Sequence, residues 1–242
     1  MSASPSAEHR PGEARDATRS KALAPRARPR AAAALTLAWA GLLLAGWAIG
    51  ALVTSAHFAW DASAVAHLRG DPHSTLTDLM RAITWLGSPL PLDIAFAAGL
   101  VILVLLRCWR HVLFLALASP GTVLMVQMIK QAVGRTRPLG PHLTPADGPS
   151  WPSGHASSSA ALYTALLVIA LSTSRASHRT RRTAFILLSA ALASIGLSRI
   201  YLAVHYPTDV IAAWLLVAGW LTVLQRTIGP SFAAITVTHD DP

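Results

Sequence analysis

The residues of this chain best suited to do chemistry fall in three short stretches. The central one is Trp151-Pro152-Ser153-Gly154-His155. A basic run from Lys130 through Arg135 to Arg137-Pro138 precedes it, and Ser198-Arg199 with His205-Tyr206-Pro207-Thr208-Asp209 follows it. Pro152 and Gly154 are turn residues, and Ser153 is a good helix N-cap. Ala156 to Leu171 is almost wholly apolar or small, so Ser153, Gly154 and His155 are predicted at the start of a buried helix. A helix start offers unpaired backbone amides and a positive dipole end, which suit an anion. The nearby cations and histidines point to a phosphate.

Phosphoryl transfer needs parts of this kind. Cations and amides must hold the equatorial oxygens, where charge spreads in the transition state. Arg137 and Arg199 can bind bidentately, and Lys130 serves as a point charge. A histidine can act as nucleophile or as proton donor, because its pKa lies near neutrality. His205 and Asp209 are one helical turn apart, so the carboxylate can take the proton of one ring nitrogen and aim the other at phosphorus. His205 is therefore expected to be the nucleophile, Asp209 its orienter and His155 the general acid. No metal is expected, since fixed cations supply the electrostatic work and the acidic clusters of a magnesium site are missing from the sequence.

Composition says what must position these residues. Of 242 residues 53% are hydrophobic and 13% charged, where a soluble domain carries about a quarter charged; mean hydropathy is +0.47. The chain reads as an integral membrane protein. Its net charge of +9 lies at the ends of apolar runs, which fits membrane topology better than nucleic-acid binding. The one cysteine, Cys108, rules out an internal disulfide. Six apolar runs emerge, near 31–53, 90–106, 112–129, 156–171, 184–197 and 210–224, giving an all-α bundle of six transmembrane helices within 31–226. Residues 1–30 read as a disordered basic cytoplasmic tail and 227–242 as a short cytoplasmic one. A short helix is expected near Asp61–Leu68. Leu76, Leu79, Met80, Ile83 and Leu86 mark a surface amphipathic helix opened by Thr75 and Asp78. Pro120-Gly121 should kink the third span, with neighbouring helices satisfying the freed backbone groups. Six spans put fourteen Lys and Arg on the tail side and six on the other. The tail is thus expected inside and the three stretches at the extracytoplasmic face.

Taken together, the stretches resemble the type 2 phosphatidic acid phosphatase superfamily. Its signature is K-x6-R-P, then P-S-G-H, then S-R-x5-H-x3-D. Lys130 with Arg137-Pro138, Pro152 to His155, and Ser198-Arg199 with His205 and Asp209 match it without departure. The resemblance covers about 31–226. It implies that Lys130, Arg137, Ser153, Gly154 and Arg199 bind phosphate, with His155 the acid, His205 the nucleophile and Asp209 its partner. It further implies a membrane-embedded phosphatase acting, without cofactor, on phosphatidic acid-like lipids, phosphatidylglycerol phosphate or polyprenyl diphosphates.

Plainer readings exist. Lys130 and Arg137 could be snorkelling anchors, and Ser153 and Asp209 only helix caps. Arg135 is open between an extra phosphate contact and a lipid-headgroup contact. Trp151 reads as an interfacial aromatic. His57, His67, His73, His111, His142 and His178 lack such partners and read as structural. Two other functions compete: a lipid phosphoryl transferase using the same histidine, and a transporter or binding protein for lipid phosphates. The latter would need the cations but not His155, His205 and Asp209.

Overall fold

The computed structural model describes residues 13–56, 58–174 and 176–229. Helix α1 covers Glu13–Ala56, α2 Ala59–Leu68, α3 Thr75–Trp85, α4 Pro89–Leu105, α5 Trp109–Val133, α6 Gly154–Thr173, α7 His178–Tyr201 and α8 Pro207–Thr227. Among the described residues six segments are long and apolar enough to cross a membrane: Pro29–Ala56, Thr75–Leu105 and helices α5 to α8. The chain is an all-α, multi-pass membrane protein. One expectation changes at its start. Helix α1 reaches back to Glu13, into the stretch expected to be disordered, because Ala, Arg, Lys and Leu favour helix even without an apolar period. Residues 1–12 and the end of the carboxyl-terminal tail lie outside the described residues.

Helices α5 and α6 form the centre, packed on each other and on α1, α4 and α8. Phe114, Leu115, Ala118, Met125 and Ile129 of α5 meet Leu162, Ala165 and Ile169 of α6, with Trp220 and Leu224 of α8 closing the cluster. Pro120 sits inside α5. The indole of Trp39 donates to the Gly121 carbonyl at 3.1 Å, and that of Trp220 to the Leu117 carbonyl at 2.9 Å. Neighbouring helices thus supply donors on both sides of the proline, as hydrocarbon surroundings require.

Helix α3 is amphipathic, but its faces are turned the opposite way from a soluble helix. Leu76, Leu79 and Leu86 are exposed, while Thr77 and Thr84 are buried and the helix packs on α7. In a bilayer the apolar stripe belongs outside and the hydroxyls belong inside with polar partners. Ser74, not Thr75, caps the helix, accepting from Thr77 N.

Candidate active site

Lys130 lies in the last turn of α5, which ends at Gly134. There φ is +64°, a left-handed conformation that glycine adopts without strain. The reversal lets Arg135 and Arg137 turn back over the helix end. Helix α6 begins at Gly154, α7 ends at Tyr201 and α8 begins at Pro207. Three stretches distant in sequence therefore meet at one end of the bundle.

Backbone bonds lock them together. Ser153 N donates to Asp209 O at 3.0 Å, Ser150 N to Arg135 O at 2.8 Å and His205 N to Arg199 O at 3.2 Å. Lys130 is buried, its Nζ donating to Pro149 O at 2.6 Å, and its side chain lies against Gly154, where an added Cβ would stand 3.9 Å from Lys130 Cε. Arg137 donates to Gly148 O at 3.0 Å, Val204 O at 2.7 Å and Asp147 O at 2.7 Å. His155 occupies the first turn of α6, half-buried, within electrostatic reach of Arg199, His205, Arg137 and Lys130. All eight expected site residues are brought to this one region.

The histidine geometry fixes its tautomer. Asp209 Oδ2 lies 3.3 Å from His205 Nδ1 and accepts from Tyr206 N at 2.9 Å. An ionised carboxylate only accepts, so His205 carries its proton on Nδ1. Nε2 then offers its lone pair on the other side of the ring, where Arg137 Nη1 stands at 3.3 Å. Burial pushes the His205 pKa down to about 4, against the pull of its Asp209 hydrogen bond. The ring is neutral at physiological pH.

Two donors stand ready and unused. Ser153 Oγ and Arg199 Nε are buried without a hydrogen-bond partner among the described residues. Ser153 occupies the N-cap position of α6 yet makes no side-chain cap bond, so the plain capping reading fails for it. Asp209 does cap α8, through its bond from Tyr206 N, and orients His205 as well. A buried unsatisfied donor costs about 1–3 kcal/mol; an anion among Lys130, Arg137 and Arg199 would relieve both.

Two sequence readings are revised. Arg135 is not free for a phosphate: it is buried and pairs with Asp61 at 2.8 Å and Asp209 at 2.6 Å. Trp151 is not interfacial: it is 2% exposed, and its indole donates to Gly46 O of α1 at 3.0 Å. Two contributors escaped the sequence reading. Thr84 of α3 accepts from Arg199 Nη1 at 2.7 Å, and Asp61 of α2 holds Arg135 from behind. The available signal was Asp61 itself, a carboxylate in an otherwise apolar stretch beside a span, the kind of residue that needs a partner.

A helix bundle that gathers Lys130, Arg137, Arg199, His155, His205 and Asp209 at one end of its spans is the arrangement of a membrane phosphatase. The PAP2 superfamily sequence pattern matches residues 109–231, and the chain belongs to that superfamily. It is 27% identical over 144 residues to phosphatidylglycerophosphatase B of Bacillus subtilis (strain 168), covering 58% of this chain and 70% of that protein. It is 32% identical over 115 residues to the lipid A 1-phosphatase of Rhizobium etli, covering 43% of this chain and 44% of that one. Its fold matches the crystal structure of a transmembrane PAP2-type phosphatidylglycerolphosphate phosphatase from Bacillus subtilis. The TM-score is 0.66 at 24% identity, over 78% of this chain and 94% of that one.

Proposed function

We propose that this protein hydrolyses a membrane lipid phosphate or diphosphate, without a metal ion, through a phosphohistidine at the extracytoplasmic face. The observation that carries the reading is the pair of unpartnered buried donors, Ser153 Oγ and Arg199 Nε, beside a neutral His205 whose Nδ1 is held by Asp209. A substrate phosphate would take both donors, with Lys130, Arg137 and the first amides of α6 on its remaining oxygens. His205 Nε2 then attacks phosphorus, the P–O bond to the lipid alkoxide breaks, and His155 gives that oxygen a proton. A water next attacks the phosphohistidine, His155 takes its proton, and inorganic phosphate leaves as Nε2 regains its lone pair. Asp209 stabilises the developing imidazolium throughout.

The lipid class rests on the relatives, both named for removing phosphate from a lipid. The orientation rests on the excess of Lys and Arg on the tail side of the six-span layout. Binding without turnover would leave the oriented His205–Asp209 pair without a purpose. The test uses purified protein in detergent with EDTA and a 32P-labelled lipid phosphate. Phosphate release should persist in EDTA, and rapid quenching should trap an acid-labile, alkali-stable phosphoenzyme that is missing in His205→Ala. A strict divalent requirement, or turnover surviving in His205→Ala, would overturn the reading.

A further inference from the structure

A buried charge network lies behind the Asp209 carboxylate, on the side away from His205, and it begins outside the region matched by the superfamily pattern. Asp61 of α2 is 1% exposed. Its Oδ2 accepts from Arg135 Nη2 at 2.8 Å and from Thr208 Oγ1, and its Oδ1 accepts from Thr208 N at 3.1 Å. The second arm of the same guanidinium, Nη1, donates to Asp209 Oδ1 at 2.6 Å and to Thr208 Oγ1 at 2.8 Å. The guanidinium lies over the Tyr206 ring, 4.2 Å from its centroid. One planar cation thus spans two buried carboxylates. The two oxygens of Asp209 are divided between partners, Oδ1 facing Arg135 and Oδ2 shared by His205 Nδ1 and Tyr206 N.

We infer that Asp61 and Arg135 are positioning residues for the reaction: Asp61 fixes the Arg135 fork, which fixes Asp209 with Oδ2 facing His205 Nδ1. The inference rests on His205 being the nucleophile. Its physical basis is that a carboxylate held only at Oδ2, by Tyr206 N, can still swing about that bond, whereas anchoring Oδ1 as well fixes its plane and so the direction of Oδ2 toward His205. Lysine cannot replace the fork, because it is a point charge and cannot serve two carboxylates in one plane. The rival role is a staple joining α2 to the start of α8, important for folding alone.

The experiment measures kcat and KM of the full chain for a lipid phosphate in Asp61→Asn, Arg135→Lys and Arg135→Ala, together with melting temperature. Misplacement of this kind costs up to about a hundredfold in rate, so kcat should fall by about ten- to a hundredfold, with KM unchanged. In an Asp209→Asn background, Asp61→Asn should cost nothing more, because the group it positions is already disabled. A cavity of ≈ 160 Å³ lined by Val53, Phe58, Asp61, Arg135 and Tyr206 gives free guanidinium a way in, so guanidinium chloride should restore part of the Arg135→Ala rate. Either of two results would overturn the inference. One is a lowered melting temperature with full kcat per folded molecule. The other is a raised KM with kcat intact. If Arg135→Ala does not fold, Asp61→Asn and Arg135→Lys decide. Failure of the histidine reading is separate: it would show as turnover in His205→Ala, whatever Asp61 does.

Discussion

At the scale of single residues, the site is set by which polar atoms are satisfied and which are not. His205 is fully enclosed, and burial holds its pKa at about 4. A depressed histidine pKa means the Nε2 lone pair is available above that value and is lost only as pH falls through it. The 15N spectrum of histidine-labelled protein, assigned with His205→Gln, should show this ring neutral with its proton on Nδ1 from pH 8 down to about 5. Titration near the ordinary 6.5 would contradict the burial. Ser153 makes the complementary case. Its Oγ has no partner among the described residues, so Ser153→Ala removes nothing the empty fold uses. Hydrogen bonds to charged groups are worth about 1.5–3 kcal/mol. The variant should therefore lose about ten- to a hundredfold in kcat/KM while its melting temperature holds or rises. A fall in both together would mean that the hydroxyl serves the fold.

At the scale of elements, helices that carry no residue of the proposed site hold those that do. Trp151 precedes Pro152 and Ser153, and its indole is anchored on the backbone of α1. A Cβ at Gly50 would overlap Trp151 Nε1 and sit 2.8 Å from Val133 Cγ2. Neither contact is tolerable, so in Gly50→Ala the indole must move and carry the start of α6 with it. Overpacking of this kind costs about 1–3 kcal/mol. Gly50→Ala should lower both melting temperature and kcat, whereas Gly41→Ala, where an added Cβ meets nothing within 4 Å, should lower neither. Helix α3 acts similarly through Thr84 on Arg199. Its sequence announces amphipathicity. Only packing on α7 shows that its few hydroxyls face inward, because in lipid the apolar face is the outer one.

At the scale of the whole molecule, the six spans bring the site to one end of the bundle. Cys108, the sole cysteine, stands at the N-cap of α5, at the opposite end of that helix from Lys130. If the site faces outward, Cys108 faces the cytoplasm. In intact cells it should react with a membrane-permeant maleimide and stay protected from an impermeant one. The reverse pattern would invert the orientation while leaving the site chemistry untouched. The apolar runs of the sequence located five of these spans closely, since hydrocarbon demands long, uncharged helices; the second starts at Thr75 rather than near residue 90, because the helix expected on the surface belongs to that apolar segment. The basic start of α1 was not legible as helix, because the expectation relied on apolar periodicity and helix propensity does not need it.

The sequence alone determined the membrane class, the apolar spans and the eight residues of the proposed site, which the fold gathers at one end of the bundle. Apolar length and the fixed spacing of charged and titratable side chains are local properties, written directly in the order of residues. Tertiary structure alone decided what the remaining polar groups do. It withdrew Arg135 from the phosphate and set it between Asp61 and Asp209. It buried Trp151 against α1, brought Thr84 to Arg199, and left Ser153 Oγ without a partner among the described residues. Each of these depends on a partner lying on another helix. In a low-dielectric interior a polar group's role is fixed by the neighbour that satisfies it, and no local pattern names that neighbour.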